Sequence, residues 1–193
     1  MDSETQVREA VPDPRLDDRL AERLGAEAWV RGLERGGWRD IEDVPYAWNI
    51  HEVSNVEHVR GVATIALDIA ERQRSVHGAD PDEDIVVAAA LLHDVGKCYE
   101  YVDHVDDDLV DPDPTYAGET IPHSLSGYAL AHEVGCPLAV QRAIPHFIGE
   151  IPDRTLEAEL VTSANTASSN AITRATMGLS LDEWVDRYSQ TSD

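Results

Sequence analysis

The sequence predicts an all-α protein, and three observations carry that expectation. Apolar residues recur at helical spacing along most of the 193 residues. The run Ile85 to Leu92 is apolar on every side, as suits a helix at the centre of a bundle. Stop and start signals (His77-Gly78, Asp80-Pro81, Gly135 with Pro137) separate these segments. With 42% hydrophobic residues the chain can bury a substantial core.

Residues 1–12 are polar and read as a frayed end. Leu16, Leu20 and Leu24 are helically spaced, and a second piece through Ala28, Val30 and Leu33 stops at Gly36-Gly37. Residues 37–51, with Trp38, Pro45, Tyr46 and Trp48, read as an irregular aromatic connector. A helix from about Val53 to Val76 places His58 on the same face as Val62, Ile65 and Ile69. Asp80 is the expected N-cap of the next helix, with Pro81 in its first turn and His93-Asp94-Val95-Gly96-Lys97 at its end. Between residues 98 and 122, where an acidic stretch interrupts the pattern, a loop with a short β-hairpin insertion is expected. Helices resume at about Ser124–Val134, Leu138–Phe147, Arg154–Thr176 and Leu181–Tyr188. The expected organisation is an acidic N-terminal extension with a helical segment (1–47), a main domain (48–178), and a C-terminal helix and tail (179–193).

The charge balance is 38 Asp plus Glu against 15 Lys plus Arg, a formal net charge of −23. That count argues against a large basic face for long nucleic acid or anionic membrane. The one lysine is Lys97. A uniformly acidic, lysine-poor surface suggests adaptation to molar salt, and a basic partner protein is the second explanation. Cys98 and Cys136 make neither a disulfide framework nor a four-sulfur metal site. No charged leader or membrane-length apolar stretch is evident, so a cytoplasmic location is expected.

The HDVGK run carries the sharpest chemical signal. A histidine and an aspartate at the end of a buried helix cost several kcal/mol of desolvation unless paired, protonated or bound to a cation. His93 supplies a borderline nitrogen and Asp94 an oxygen able to bridge two ions. Lys97 would place a point charge near a phosphate, and Gly96 would let the backbone turn. Taken alone, HDVGK also fits a plain ion pair at a helix C-terminus. Three more histidines tip the balance toward a metal: His58 on an apolar helix face, His123 opening a helix with Gly127 one turn later, and His146 beside Phe147. His51, His77, His104 and His132 fit no such pattern and read as surface residues.

The order His58, His93-Asp94, His123 in HSLSG and His146 in RAIPH resembles the HD-domain superfamily of metal-dependent phosphohydrolases, over roughly residues 48 to 178. NVEHVRGVATIALDIAE is similar to that family's first-histidine helix and AAALLHDVGK to its defining motif. HSLSGYALAHEVGCPLAVQRAIPH resembles the extra-histidine segment of members that hold two metals. TYAGETIPHS is more similar to HD domains associated with exoribonucleases than to the HD-GYP branch, and no GYP run follows His146. The resemblance implies an HD-domain helical bundle that hydrolyses phosphate esters, often nucleotides. It implies His58, His93 and Asp94 on a first metal, Asp94, His123 and His146 on a second, and Lys97 on the substrate phosphate.

One position departs from the family pattern. Its late-helix aspartate is matched here by Asn165, which shares an inward face with Val161, Ser168 and Ile172. An amide oxygen can ligate a metal but carries no charge. Two readings follow: a phosphohydrolase or phosphodiesterase with Asp94 and Lys97 in catalytic roles, or a degenerate domain that binds a nucleotide or metal for regulation. A third, outside the family, is an acidic interaction protein. Histidine-rich ligation favours one or two ions of Mn, Fe, Co, Ni or Zn over Mg. The expected ligand is a small phosphate ester of nucleotide type. Arg60 and Arg142 could meet developing charge but read better as surface cations. Glu57, Glu100 and Glu150 are candidates for general acid or for supporting the ligands.

Overall fold

The computed structural model describes residues 20–101, 121–144 and 154–188, the side chains of residues 20–23, His51 and Tyr188 excepted. Helix α1 (Leu20–Gly36) is continuous across what the sequence presents as two pieces. It buries Ala28, Trp29 and Leu33 in the main core, and Trp29 Nε1 donates to the Leu91 carbonyl at 3.0 Å. At its end Gly36 lies so close to the Cys98 carbonyl that a Cβ would collide with it, and Gly37 turns with φ +76°.

The connector departs from the expected irregular chain. A 3-10 turn (Ile41–Asp43) precedes strands β1 (Pro45–Ala47) and β2 (Ile50–Ser54), which pair antiparallel with Pro45 opposite Ser54 and Ala47 opposite Ile50. Its aromatic and β-branched side chains explain the hairpin. Tyr46, Ala47 and Ile50 are buried together, with Val53, Ile172, Met177 and Trp184 packed around them. Where the loop with a short hairpin is expected, between residues 98 and 122, the described start is a single helical turn, α4 (Lys97–Glu100); the hairpin itself would fall on residues 102–120, which lie outside the described residues.

Ser54 begins α2 (Asn55–His77) with a capping box. Its hydroxyl accepts from Glu57 N–H at 3.3 Å while the Glu57 carboxylate accepts from Ser54 N–H at 2.9 Å. Glu57 is thereby committed to a structural role. Gly78, at φ 69°, closes the helix as expected. The next helix, α3 (Glu83–Leu92), starts later than predicted, because Asp82 and not Asp80 caps it, accepting from Asp84 and Ile85 N–H. Asp80 instead meets the Arg74 guanidinium at 3.1 Å.

Helix α3 is the centre of the fold. Every residue from Val86 to Leu92 is buried, with α1, α2, α6 (Leu138–Ala143) and α7 (Leu156–Met177) around it. Each large apolar side chain so enclosed contributes about 1.5–3 kcal/mol. Helix α5 (His123–Glu133) packs on α1 and α4, and α8 (Leu181–Tyr188) on α7. The described part is all-α apart from this one hairpin. Among the described residues, no helix is long and apolar enough to cross a membrane.

Candidate metal centre

Helix α2 carries His58 inward, and the α3 terminus delivers His93 and Asp94 against it. All three are buried, with relative exposures of 1%, 0% and 3%. Their ligand atoms lie within 4.8 Å of one another. Asp94 Oδ2 is 3.5 Å from both His58 Nε2 and His93 Nε2, and its Oδ1 is 3.2 Å from His123 Nε2. Three histidines expected from the sequence thus converge on the Asp94 carboxylate.

The turn that makes this possible is held from several sides. Asn55 Nδ2 donates to the Asp94 carbonyl at 3.0 Å, and Lys97 N–H donates to the same oxygen at 3.0 Å. Gly96 has an ordinary right-handed φ of −65°, so its role is not the backbone freedom expected of it. It is needed for space, because a Cβ there would collide with the His123 carbonyl and lie 2.5 Å from Ser126 Oγ. Gly127 provides the expected close approach on the α5 side, where an added Cβ would already sit 3.4 Å from Gly96 N.

Each histidine is oriented through its Nδ1. His93 Nδ1 lies 2.7 Å from the Ala90 carbonyl, an acceptor that requires the proton on Nδ1 and leaves Nε2 as a lone-pair donor toward Asp94. His58 Nδ1 is 3.1 Å from Ser168 Oγ, and His123 Nδ1 is 2.8 Å from Glu100 Oε2. The His58 Nε2 atom is buried without a hydrogen-bond partner in the protein. Such an atom is costly unless a cation takes it. Two inward imidazole nitrogens and a carboxylate oxygen form a donor set suited to a divalent transition ion, so the residues fit a metal.

The electrostatics support the same conclusion. Burial drives the His58 pKa down to about 3, against the opposing pull of Asp94, and burial likewise lowers that of His93. Both are neutral at physiological pH, the form that ligates. Burial pushes Asp94 up, but His93, Lys97 and His123 together outweigh it and hold the carboxyl well below its ordinary range. Burial also opposes charge on His123, yet hydrogen bonds to Asp94 and Glu100 raise it to about 9.

Lys97 is buried as an ammonium. Its Nζ lies 2.9 Å from Asp94 Oδ2, donates to the Tyr46 carbonyl, and sits 4.5 Å from the Tyr46 ring centroid. Asn165 is buried and faces inward as expected. Its side chain adjoins His58 and favours that ring's charged form, and its Oδ1 accepts from Ser169 Oγ at 3.3 Å. His146 and Glu150 lie outside the described residues. Arg60 and Arg142 are exposed, in keeping with their reading as surface cations, as are His77 and His132.

Sequence reasoning missed Tyr46, Asn55 and Ser169. Ser169 follows Asn165 by one helical turn, a spacing that could have revealed it. Tyr46 carries no such signal. Only the hairpin's packing brings its ring 4.7 Å from the His58 ring, and its hydroxyl to Ser169.

Comparison with known proteins agrees with this geometry. Over 101 residues the chain is 32% identical to the dihydroneopterin 2',3'-cyclic phosphate phosphodiesterase of Methanocaldococcus jannaschii. That alignment takes in 50% of this chain and 40% of the relative, so the chain spans well under half of that protein's length. No solved structure matches the chain significantly. The HD-domain family profile matches residues 55–168, from the first residue of α2 to the serine that orients His58. Every described member of the histidine–aspartate cluster falls inside that span, and the chain belongs to the HD-domain family of metal-dependent phosphohydrolases.

Proposed function

We propose that this protein is a metal-dependent phosphohydrolase or phosphodiesterase acting on a nucleotide or a similar small phosphate ester. The observation that carries the reading is the convergence on Asp94. One oxygen faces His58 and His93, the other faces His123, and the carboxyl is held ionised in a buried setting. A divalent ion bound there supplies Lewis acidity, lowering the pKa of a bound water toward neutrality and drawing charge from the phosphoryl group. His58, His93 and Asp94 would hold it, and the buried Asn165, which adjoins His58, would be the candidate for a further, neutral ligand. His123, and His146 by family resemblance, extend the set toward a second ion. Lys97 supplies a fixed positive charge beside Asp94 that can meet a substrate phosphate.

The phosphodiesterase relative supports a small phosphodiester as the first substrate class to test. The excess of 38 acidic over 15 basic residues weighs against a long nucleic acid. The test starts with elemental analysis of protein purified without chelator or affinity-tag nickel. Hydrolysis is then assayed on nucleotides and on 2',3'- and 3',5'-cyclic phosphodiesters with added Mn, Fe, Co, Ni or Zn. The expected result is one or two equivalents of transition metal and metal-stimulated turnover. Asp94→Ala should lose the metal and at least roughly 10²-fold in rate. A metal-loaded protein inert toward the whole panel would overturn the reading.

A further inference from the structure

We propose that Glu100 is the positioning residue for His123, taking its Nδ1–H so that Nε2 is presented to the Asp94 side as a ligating nitrogen. This rests on the metal-centre reading above and extends it to a residue outside the ligand set.

The argument begins with hydrogen-bond inventory. An ionised carboxylate only accepts, so at 2.8 Å from Glu100 Oε2 the Nδ1 of His123 must be the donor. Nε2 lies 3.2 Å from Asp94 Oδ1 and donates to that carboxylate when no ion is present; with the other proton held on Nδ1 by Glu100, Nε2 is the nitrogen an ion would meet. His93 repeats the pattern with the Ala90 carbonyl as acceptor. Glu100 differs in being charged, and a carboxylate on the far nitrogen also makes an imidazole a stronger donor to a metal.

The placement of Glu100 follows from the local fold. It ends α4, a single turn closed by Tyr101 N–H on the Lys97 carbonyl at 3.2 Å. Lys97 and Glu100, three apart, share one side of that turn. The lysine reaches Asp94 Oδ2, and the glutamate reaches the histidine that faces Oδ1. The Glu100 side chain is 21% exposed, so the pair is shielded enough to hold one geometry.

A merely structural role, tying α4 to α5, predicts lost stability with unchanged metal binding, so affinity is the deciding readout. Co²⁺ is titrated into the full chain against a competing chelator, following its visible absorption, for wild type, Glu100→Ala, Glu100→Gln and His123→Ala. We expect His123→Ala to weaken binding and Glu100→Ala to weaken it roughly 10–100-fold with an altered spectrum. Glu100→Gln, which keeps an acceptor oxygen but not the charge, should fall between. Melting in chelator reports folding, and the glutamine variant carries the test should the alanine variant not fold. Wild-type-like Co²⁺ affinity in both Glu100 variants, with His123→Ala impaired, overturns the inference and leaves the metal centre standing. Unchanged binding in His123→Ala overturns it too. A wild type that binds no Co²⁺ removes the metal-centre reading and this inference together.

Discussion

His58 shows how much a single buried side chain dictates. Its folded pKa of about 3 lies below its ordinary 6.5, so the unfolded chain takes up a proton in that window that the folded protein refuses. Stability from this source is intact above pH 6.5 and is lost as pH falls toward 3. His93 acts in the same direction, and Asp94, held well below the usual carboxylate range, likewise contributes stability that is lost as pH falls. His123 runs the other way. Its pKa is raised to about 9, so its contribution is full below pH 6.5 and is lost as pH rises through 9. Metal-free protein should therefore melt highest near pH 6.5. His58→Gln should flatten the acid limb and His123→Gln the alkaline limb in a chelator-treated pH series. Limbs that both variants leave unchanged would refute the assignment. At this scale the sequence was informative wherever a polar residue interrupted an apolar pattern, as at His58, His93-Asp94 and Asn165. It was silent on Tyr46, because an aromatic residue in a connector looks the same whether it covers a site or a loop.

Among the elements, the contact between the HDVGK turn and α5 is the tightest constraint on the centre. It brings Gly96 against the His123 carbonyl and Gly127 against Val95 and Ile144. Gly96→Ala would force the two apart and carry His123 away from Asp94. Overpacking of this kind costs about 1–3 kcal/mol or more. The expected outcome is a lower melting temperature in chelator together with weakened metal binding, whereas Gly25→Ala, where an added Cβ meets no described atom within 4 Å, should leave metal binding unchanged and not lower the melting temperature. Equal behaviour of the two variants would show that the close approach is dispensable. Helix cores and their glycine stops at Gly78 and Gly135 were legible, because periodicity and left-handed caps are local properties. The Asp80 cap was misjudged because Asp80 and Asp82 both suit the position in isolation. Arg74 and Glu157, from other parts of the chain, settle the choice by binding Asp80 and the Asp82 N–H.

For the whole molecule, the cluster joins α2, α3, α5 and α7 across the core, so an ion bound there binds the folded state alone. At ~100 times its dissociation constant such an ion stabilises by about 2.7 kcal/mol. Thermal melts with and without chelator should show a corresponding drop of several degrees, absent in Asp94→Ala. A wild-type melting curve indifferent to chelation would speak for histidines buried purely as structure. The sequence by itself determined the helical class, the central apolar helix and which histidines and aspartate interrupt the apolar pattern, since these follow from residue chemistry and short-range spacing. Only the tertiary structure decided that Lys97 is buried against Asp94, that Tyr46 joins the centre, that Gly96 serves for space, and that Glu100 faces His123. Each of those contacts depends on which helices pack together, and long-range packing leaves no periodic trace in the chain.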